Sequence, residues 1–246
     1  MLTGRDARAG ESALREIVDA TYMKLMSSCD INYREVVSRW EPDASGRMVA
    51  AALDLYETQG YESTTIADIA ARAGVTERTF FRHFSDKREV LFAGAEDLGT
   101  RVLDEIAVMD EAPPLDMATA AYVRAAIRFE SRRDFLSRRA RVIAGNPNLR
   151  ERELLKMSSL SAALSSGMVA RGVPANTAAI AAECATVAFV IAFDRWLTDP
   201  GDTGLAQLIV GVATELKSVA ANSSPEHAAR NSNPGSAEQE SAAAAH

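Results

Sequence analysis

The stretch Thr64–Phe92, "TTIADIAARAGVTERTFFRHFSDKREVLF", constrains the fold more than any other part of this chain. Thr65 stands three residues before Asp68, the spacing of a capping box with Asp in place of Glu. Gly74 then breaks the helix that Thr65 opens, and Thr76 is placed to cap a second. On that second helix Phe80 and Phe84 are four apart and share one face. Asp86 caps the next segment, with Glu89 three residues on. Upstream, Met48, Ala51, Ala52 and Leu55 recur at helical spacing until Gly60 ends the run. Three short helices, the last two joined by a tight glycine turn, make a helix-turn-helix. A longer helix over 86–108 is expected to leave it.

The rest of the chain reads as helix after helix. Pro113-Pro114 interrupts, since proline lacks the N–H that a helix interior needs. Helical patterns then cover 115–131, 132–144, 149–171, 175–198 and 203–219. Segment 175–198 carries almost no charge and is expected to be buried on most sides. The expected fold is all-α: a three-helix helix-turn-helix unit over 45–92, then a larger helical domain over 93–219, for which the resemblance given below implies ligand binding and dimerisation, as it implies DNA binding for the first. Residues 1–44 read as an extension with a short helix near 12–27. Residues 220–246 are Ala, Ser, Asn, Pro and Glu and are expected to be disordered.

Charge narrows the function. The formal net charge is −7 over 246 residues, so contact with a polyanion must come from a local patch. Between 72 and 88 five cations (Arg72, Arg78, Arg82, Lys87, Arg88) face two acids, Glu77 and Asp86. Arg78 and Arg82 lie opposite the Phe80/Phe84 face. Helix N-termini attract anions, which makes Thr64 or Thr65, together with Lys87, candidate phosphate clamps. His83 is exposed by periodicity and suits a phosphate contact. Glu77 opens the reading helix, where a carboxylate either stabilises the helix N-terminus or accepts from cytosine.

An enzyme would need a nucleophile–base pair, a metal cluster or a phosphate loop. His83, His227 and His246 are scattered, and Cys29 and Cys184 lack partner spacing. No cofactor or metal is expected. The N-terminus lacks a secretory pattern and no apolar run approaches membrane length, so a cytoplasmic location and no membrane partner are expected.

Residues 47–92 resemble the DNA-binding domain of the tetracycline-repressor (TetR) family of bacterial transcription regulators. "RWEPDASGRMVAAALDLYETQGYESTT" and "LRERELLK" are also similar to a branch common in actinobacteria. The resemblance implies a homodimeric repressor that binds a palindromic double-stranded operator and releases it when a small-molecule effector enters the C-terminal domain. It implies phosphate contacts at Thr65, Phe81, His83 and Lys87, and base-reading positions at Thr76, Glu77, Arg78 and Thr79. Phe81 departs from the family's usual Tyr, so a backbone contact there must be apolar or be replaced by Arg82.

The last two helices are the dimerisation candidates, with Ala178, Ala181, Ala182 and Ala185 small enough for close approach. Tyr122, Phe129, Met157, Met168, Phe189 and Phe193 are candidates to line an apolar effector cavity, with Arg128 or Arg195 fixing an anionic end. The competing reading is a helical small-molecule-binding protein without sequence-specific DNA binding.

Overall fold

The computed structural model describes residues 44–93, 95–199, 201 and 203–222. The expected helix near 12–27, most of the N-terminal extension and the tail beyond 222 lie outside the described residues. Helices α1 (Ala44–Gln59), α2 (Ile66–Arg72) and α3 (Glu77–His83) form the N-terminal unit, followed by a 3-10 turn at Glu89–Phe92. Helices α4 (Ala95–Val108) and α5 (Pro114–Ala126), a 3-10 stretch at Ile127–Arg132, then α6 (Arg133–Ala144), α7 (Pro147–Ala170), α8 (Ala175–Thr198) and α9 (Leu205–Asn222) complete the chain. Among the described residues every regular element is helical.

Local chemistry sets the boundaries. Thr65 accepts from the Asp68 N–H at 3.1 Å while Asp68 accepts from the Thr65 N–H at 2.9 Å, so the capping box is present. Thr76 caps α3 by accepting from the Thr79 N–H at 3.1 Å. Between them Gly74 takes φ +66°, and Val75 N–H donates back to the Ala70 carbonyl at 2.9 Å. That left-handed turn is what reverses the chain between α2 and α3. Pro113 and Pro114 occupy the cap and first position of α5, where a missing N–H costs nothing. Asn146 accepts from the N–H groups of Asn148 and Leu149, starting α7 at Pro147, two residues earlier than the periodicity suggests.

One expected element is broken. The helix expected over 86–108 is interrupted at Ala93, whose ψ of 126° leaves the helical region. In a continuous helix the Leu91 carbonyl would accept from residue 95; here it accepts from Arg139 Nε at 2.6 Å. The last helix runs to Asn222 rather than stopping at 219.

Two apolar cores result. The N-terminal core gathers Met48, Ala52, Leu53, Tyr56, Ile69, Phe80, Phe84, Val90 and Leu91. Leu55, expected on the buried face of α1, is only partly buried there, and Leu53 and Tyr56 take the inner positions. Ile143 of α6 and Leu149 of α7 are fully buried in this same core. The C-terminal core is built around α8, which packs against α5, α7 and α9. By length and composition α8 is apolar enough to cross a membrane, with a mean hydropathy of 1.6 over its best window. That amends the expectation that no stretch approaches membrane length; here the helix packs as the core of a bundle.

Ion pairs stitch the two cores together. Arg138 bridges Asp54 at 2.6 Å and Glu57 at 2.5 Å on α1. Glu89 receives Arg152 at 2.5 Å and Lys156 at 3.5 Å from α7. The Arg138 hydrogen bond holds the Asp54 carboxyl below its usual range, and the Arg152 hydrogen bond does the same for Glu89. A carboxylate whose folded pKa is depressed stabilises fully above its unfolded pKa and loses that contribution as pH falls through the folded value. The seam is therefore complete at neutral pH and weakens below about pH 4.5. Thermal melts from pH 7 to pH 3 should show this loss, and Glu89→Gln should flatten the acid limb. Gly74→Ala should destabilise by about 1 kcal/mol in urea unfolding. An added Cβ meets nothing within 4 Å, so the cost is the backbone's alone.

Candidate nucleic-acid interface

Helix α3 turns its sequence into two faces. Phe80 is fully buried and Phe84 nearly so, and their rings pack 5.6 Å apart. Thr76, Glu77, Arg78, Phe81, Arg82 and His83 are exposed on the other side, with Thr79 half-buried. Phe81 is 55% exposed, its ring edge-on to Phe80 at 5.7 Å. An aromatic side chain left in water beside a buried one is available to pack on something outside the chain.

The cationic patch is narrower than the sequence count suggests. Arg72 lies 3.5 Å from Asp54, and Arg88 pairs with Asp86 at 2.8 Å. Burial pushes the Asp86 carboxyl up, but bonds from the Arg88 side chain and the Glu89 and Arg88 N–H groups leave it below its usual range. Among the described residues Arg78 and Arg82 pair with no carboxylate; Arg82 has only His83 Nε2 at 3.5 Å. These two guanidiniums lie four residues apart on the exposed face of α3.

The threonines separate as well. Thr64 is 1% exposed, donating to the Gly60 carbonyl at 2.8 Å and accepting from Gln59 at 3.1 Å. Its hydroxyl is spent inside the chain, which removes it as a phosphate clamp. Thr65 faces outward, but its hydroxyl donates to Asp68 Oδ2 at 2.6 Å. Those Thr65 bonds hold Asp68 ionised below the usual range.

Lys87 has a structural task that sequence reasoning missed. Its ammonium donates to the carbonyls of Tyr61 at 2.8 Å, Thr64 at 2.9 Å and Glu62 at 3.3 Å, and lies 4.4 Å from the Tyr61 ring centroid. Tyr56 Oη in turn donates to the Lys87 carbonyl at 2.6 Å. Lys87 thus staples the loop between α1 and α2 to the segment after α3. No local signal in the sequence marks this role, because the three carbonyls meet Lys87 only once the loop is folded.

Behind this unit lies a cavity of about 360 Å³. It is walled by the turn after α3 (Leu91, Phe92, Ala93), by Phe129 and Arg132, by α6 and α7, and by the outer part of α8. Of the expected lining, Phe129, Met157, Phe189 and Phe193 are present. Tyr122 and Met168 are instead fully buried core. The Tyr122 hydroxyl is bonded to Thr186 at 2.7 Å, and burial pushes its pKa up to about 12. Arg128 is exposed away from the cavity, and Arg195 pairs with Glu215 of α9 at 3.0 Å. The cationic positions fall to Arg132, Arg139 and Arg150. Arg132, Phe135, Leu136, Arg139, Ala140 and Ile143 recur at three- and four-residue spacing, a mixed stripe that marks this wall in the sequence. Burial pulls the Arg139 pKa down against the pull of Glu153.

Ala178, Ala181, Ala182 and Ala185 are buried within the chain. The small-residue stripe expected to serve a second copy is therefore consumed by intrachain packing. The outward face of α8 carries Ile180, Val187, Val190 and Ile191 instead.

Lys87→Ala should lower stability by about 2 kcal/mol, because three carbonyls lose a charged donor. Arg78→Ala, on the solvent face, should change it by less than about 0.5 kcal/mol. Urea unfolding of both variants checks the contrast.

Among the comparisons with known proteins, the family match falls on this same unit. The family described as bacterial regulatory proteins, tetR family, matches residues 48–93. The regulator TcmR of Streptomyces glaucescens is 50% identical over 44 residues, 18% of this chain and 20% of that protein. The repressor Rv3405c of Mycobacterium tuberculosis is 37% identical over 60 residues, 24% of this chain and 32% of that protein. The likeness to these relatives thus spans a third of their length or less. A TetR-family regulator from Syntrophomonas wolfei superposes with a TM-score of 0.51 at 19% identity, covering 72% of this chain and 95% of that one. That likeness extends the shared fold into the C-terminal helices. The N-terminal helix-turn-helix unit of this chain is thus similar to the tetR family of bacterial regulatory proteins, and the helices beyond it share the fold.

Proposed function

We propose that this chain is a DNA-binding transcription regulator that seats α3 in the major groove and answers to a small molecule held in its C-terminal domain. The observation that carries the reading is the exposed face of α3, where Arg78 and Arg82 stand clear of carboxylates while Phe80 and Phe84 fix the helix from behind. A helix so held, preceded by a tight turn, has the docking geometry of a recognition helix. Thr76, Glu77, Arg78 and Thr79 take the base-reading role. His83, Thr65 and Lys87 are the phosphate-facing positions, with Phe81 packing against the sugar-phosphate backbone. Thr65 and Lys87 reach a phosphate only by sharing or exchanging their present partners, so Arg78 and Arg82 carry most of the electrostatic attraction.

Repression is the preferred sense, in line with the name of the M. tuberculosis relative. Two copies pair through α9 and the outer face of α8, whose Ile180, Val187 and Ile191 are unusually apolar for solvent. Reading helices about 34 Å apart would then meet successive major grooves of a palindromic site. A small molecule acts by binding the DNA-incompetent arrangement more tightly than the competent one. Acting on DNA, the protein works in the cytoplasm, and its relatives in Streptomyces and Mycobacterium support an actinobacterial type.

Selection of bound fragments from the source genome, followed by gel-shift titration, tests this. Arg78→Ala should cost about 1–3 kcal/mol and relax preference at one operator position. Arg82→Ala should weaken all sequences about equally and lower the salt slope by roughly one. Absence of affinity for any duplex at low salt, with the fold intact, would remove the reading.

A further inference from the structure

The cavity behind the DNA-binding unit has a chemistry specific enough to name a class of guest. Five phenylalanine rings line it: Phe92, Phe129, Phe135, Phe189 and Phe193. Phe189 and Phe193 stack 5.7 Å apart with 26° between their planes, and Phe129 meets both, at 6.3 Å and 6.0 Å. Such a wall favours a flat aromatic body over a flexible chain.

Its polar side is a guanidinium. The Arg139 side chain is only 13% exposed and lies 5.0 Å from the Phe92 ring centroid. Nε donates to the Leu91 carbonyl at 2.6 Å and Nη1 to Glu153 at 2.9 Å. Nη2 donates to nothing among the described residues. An arginine held by two partners and stacked on a ring keeps its fork oriented, so its remaining N–H groups are aimed before any guest arrives. Arg132 and Arg150 add two more cations to the lining, against the carboxylates of Glu153 and Asp194.

We infer that this cavity takes a flat aromatic acid, its rings among Phe129, Phe189 and Phe193 and its acid group on Arg139 Nη2. The inference rests on the effector-responsive reading above and gives it a ligand class. The volume of about 360 Å³ lies at the lower end of small-molecule sites and suits a guest of two or three fused rings.

Isothermal titration of the full chain with 2-naphthoate, and with 2-naphthamide as its uncharged counterpart, tests the inference without DNA. The acid should bind at least about tenfold more tightly than the amide. Arg139→Gln should erase that preference, and Arg139→Lys should restore only part of it. Ala140→Trp, which fills the cavity while keeping Arg139, should abolish binding of both probes. Equal binding of acid and amide, an undiminished preference in Arg139→Gln, no binding of either probe to the unaltered protein, or unchanged binding in Ala140→Trp would each overturn it. Should Arg139→Gln fail to fold, the acid–amide comparison and Ala140→Trp still decide. Fragment selection by the probe-free protein reports separately on DNA binding, so loss of the ligand class and loss of the regulator reading give different results.

Discussion

The N-terminal unit does not close its own core. Three short helices leave one side open, and Ile143 and Leu149, more than fifty residues downstream, fill it. The seven-residue helices α2 and α3 are too short to persist alone in water. Their order depends on burying Ile69 and Phe80 against this shared core. Burying a side chain the size of Leu or Ile is worth about 1.5–3 kcal/mol, so the two downstream residues matter to the whole unit. The seam is thus an energetic part of the helix-turn-helix unit as much as a boundary between the two cores.

Electrostatics fixes the orientation that this apolar contact leaves free. Hydrophobic burial is non-directional, whereas Arg138 must reach Asp54 and Glu57 together, and Glu89 must meet Arg152. Such part-exposed pairs add little stability each but specify one angle between α1 and α6. Arg139 joins this seam to the cavity, touching Leu91, Phe92 and Glu153 at once. The turn after α3 and the cavity wall therefore share a side chain.

How much of this was legible depends on the range of the interaction. The Thr65–Asp68 capping box, the Thr76 cap, the Gly74 turn and the Phe80/Phe84 face are local, and residues a few places apart define them. Pro113-Pro114 likewise marked the start of α5. Features that need two distant segments did not show. Thr64 and Thr65 both read as phosphate clamps, and only the folded loop, through the Gly60 carbonyl and the Gln59 side chain, turns Thr64 inward. Lys87 reads as a surface cation until the Tyr61–Thr64 loop brings three carbonyls to it. Of the aromatic candidates in the C-terminal half, helical spacing cannot tell a wall from a core; Tyr122 and Phe189 stack on one another at 4.9 Å, yet only Phe189 reaches the cavity. The break at Ala93 was hidden because Arg139, far along the chain, takes the carbonyl that a continuous helix would use.

Both stretches of 3-10 backbone among the described residues, Glu89–Phe92 and Ile127–Arg132, border the same hollow. Their hydrogen bonds are poorer than those of an α-helix and readily exchange one bonding pattern for the other. The compartment is accordingly framed by hinges at two of its edges, while the long helices supply stiff sides. The width of the hollow can therefore change by adjusting these short turns, with the bundle left undisturbed.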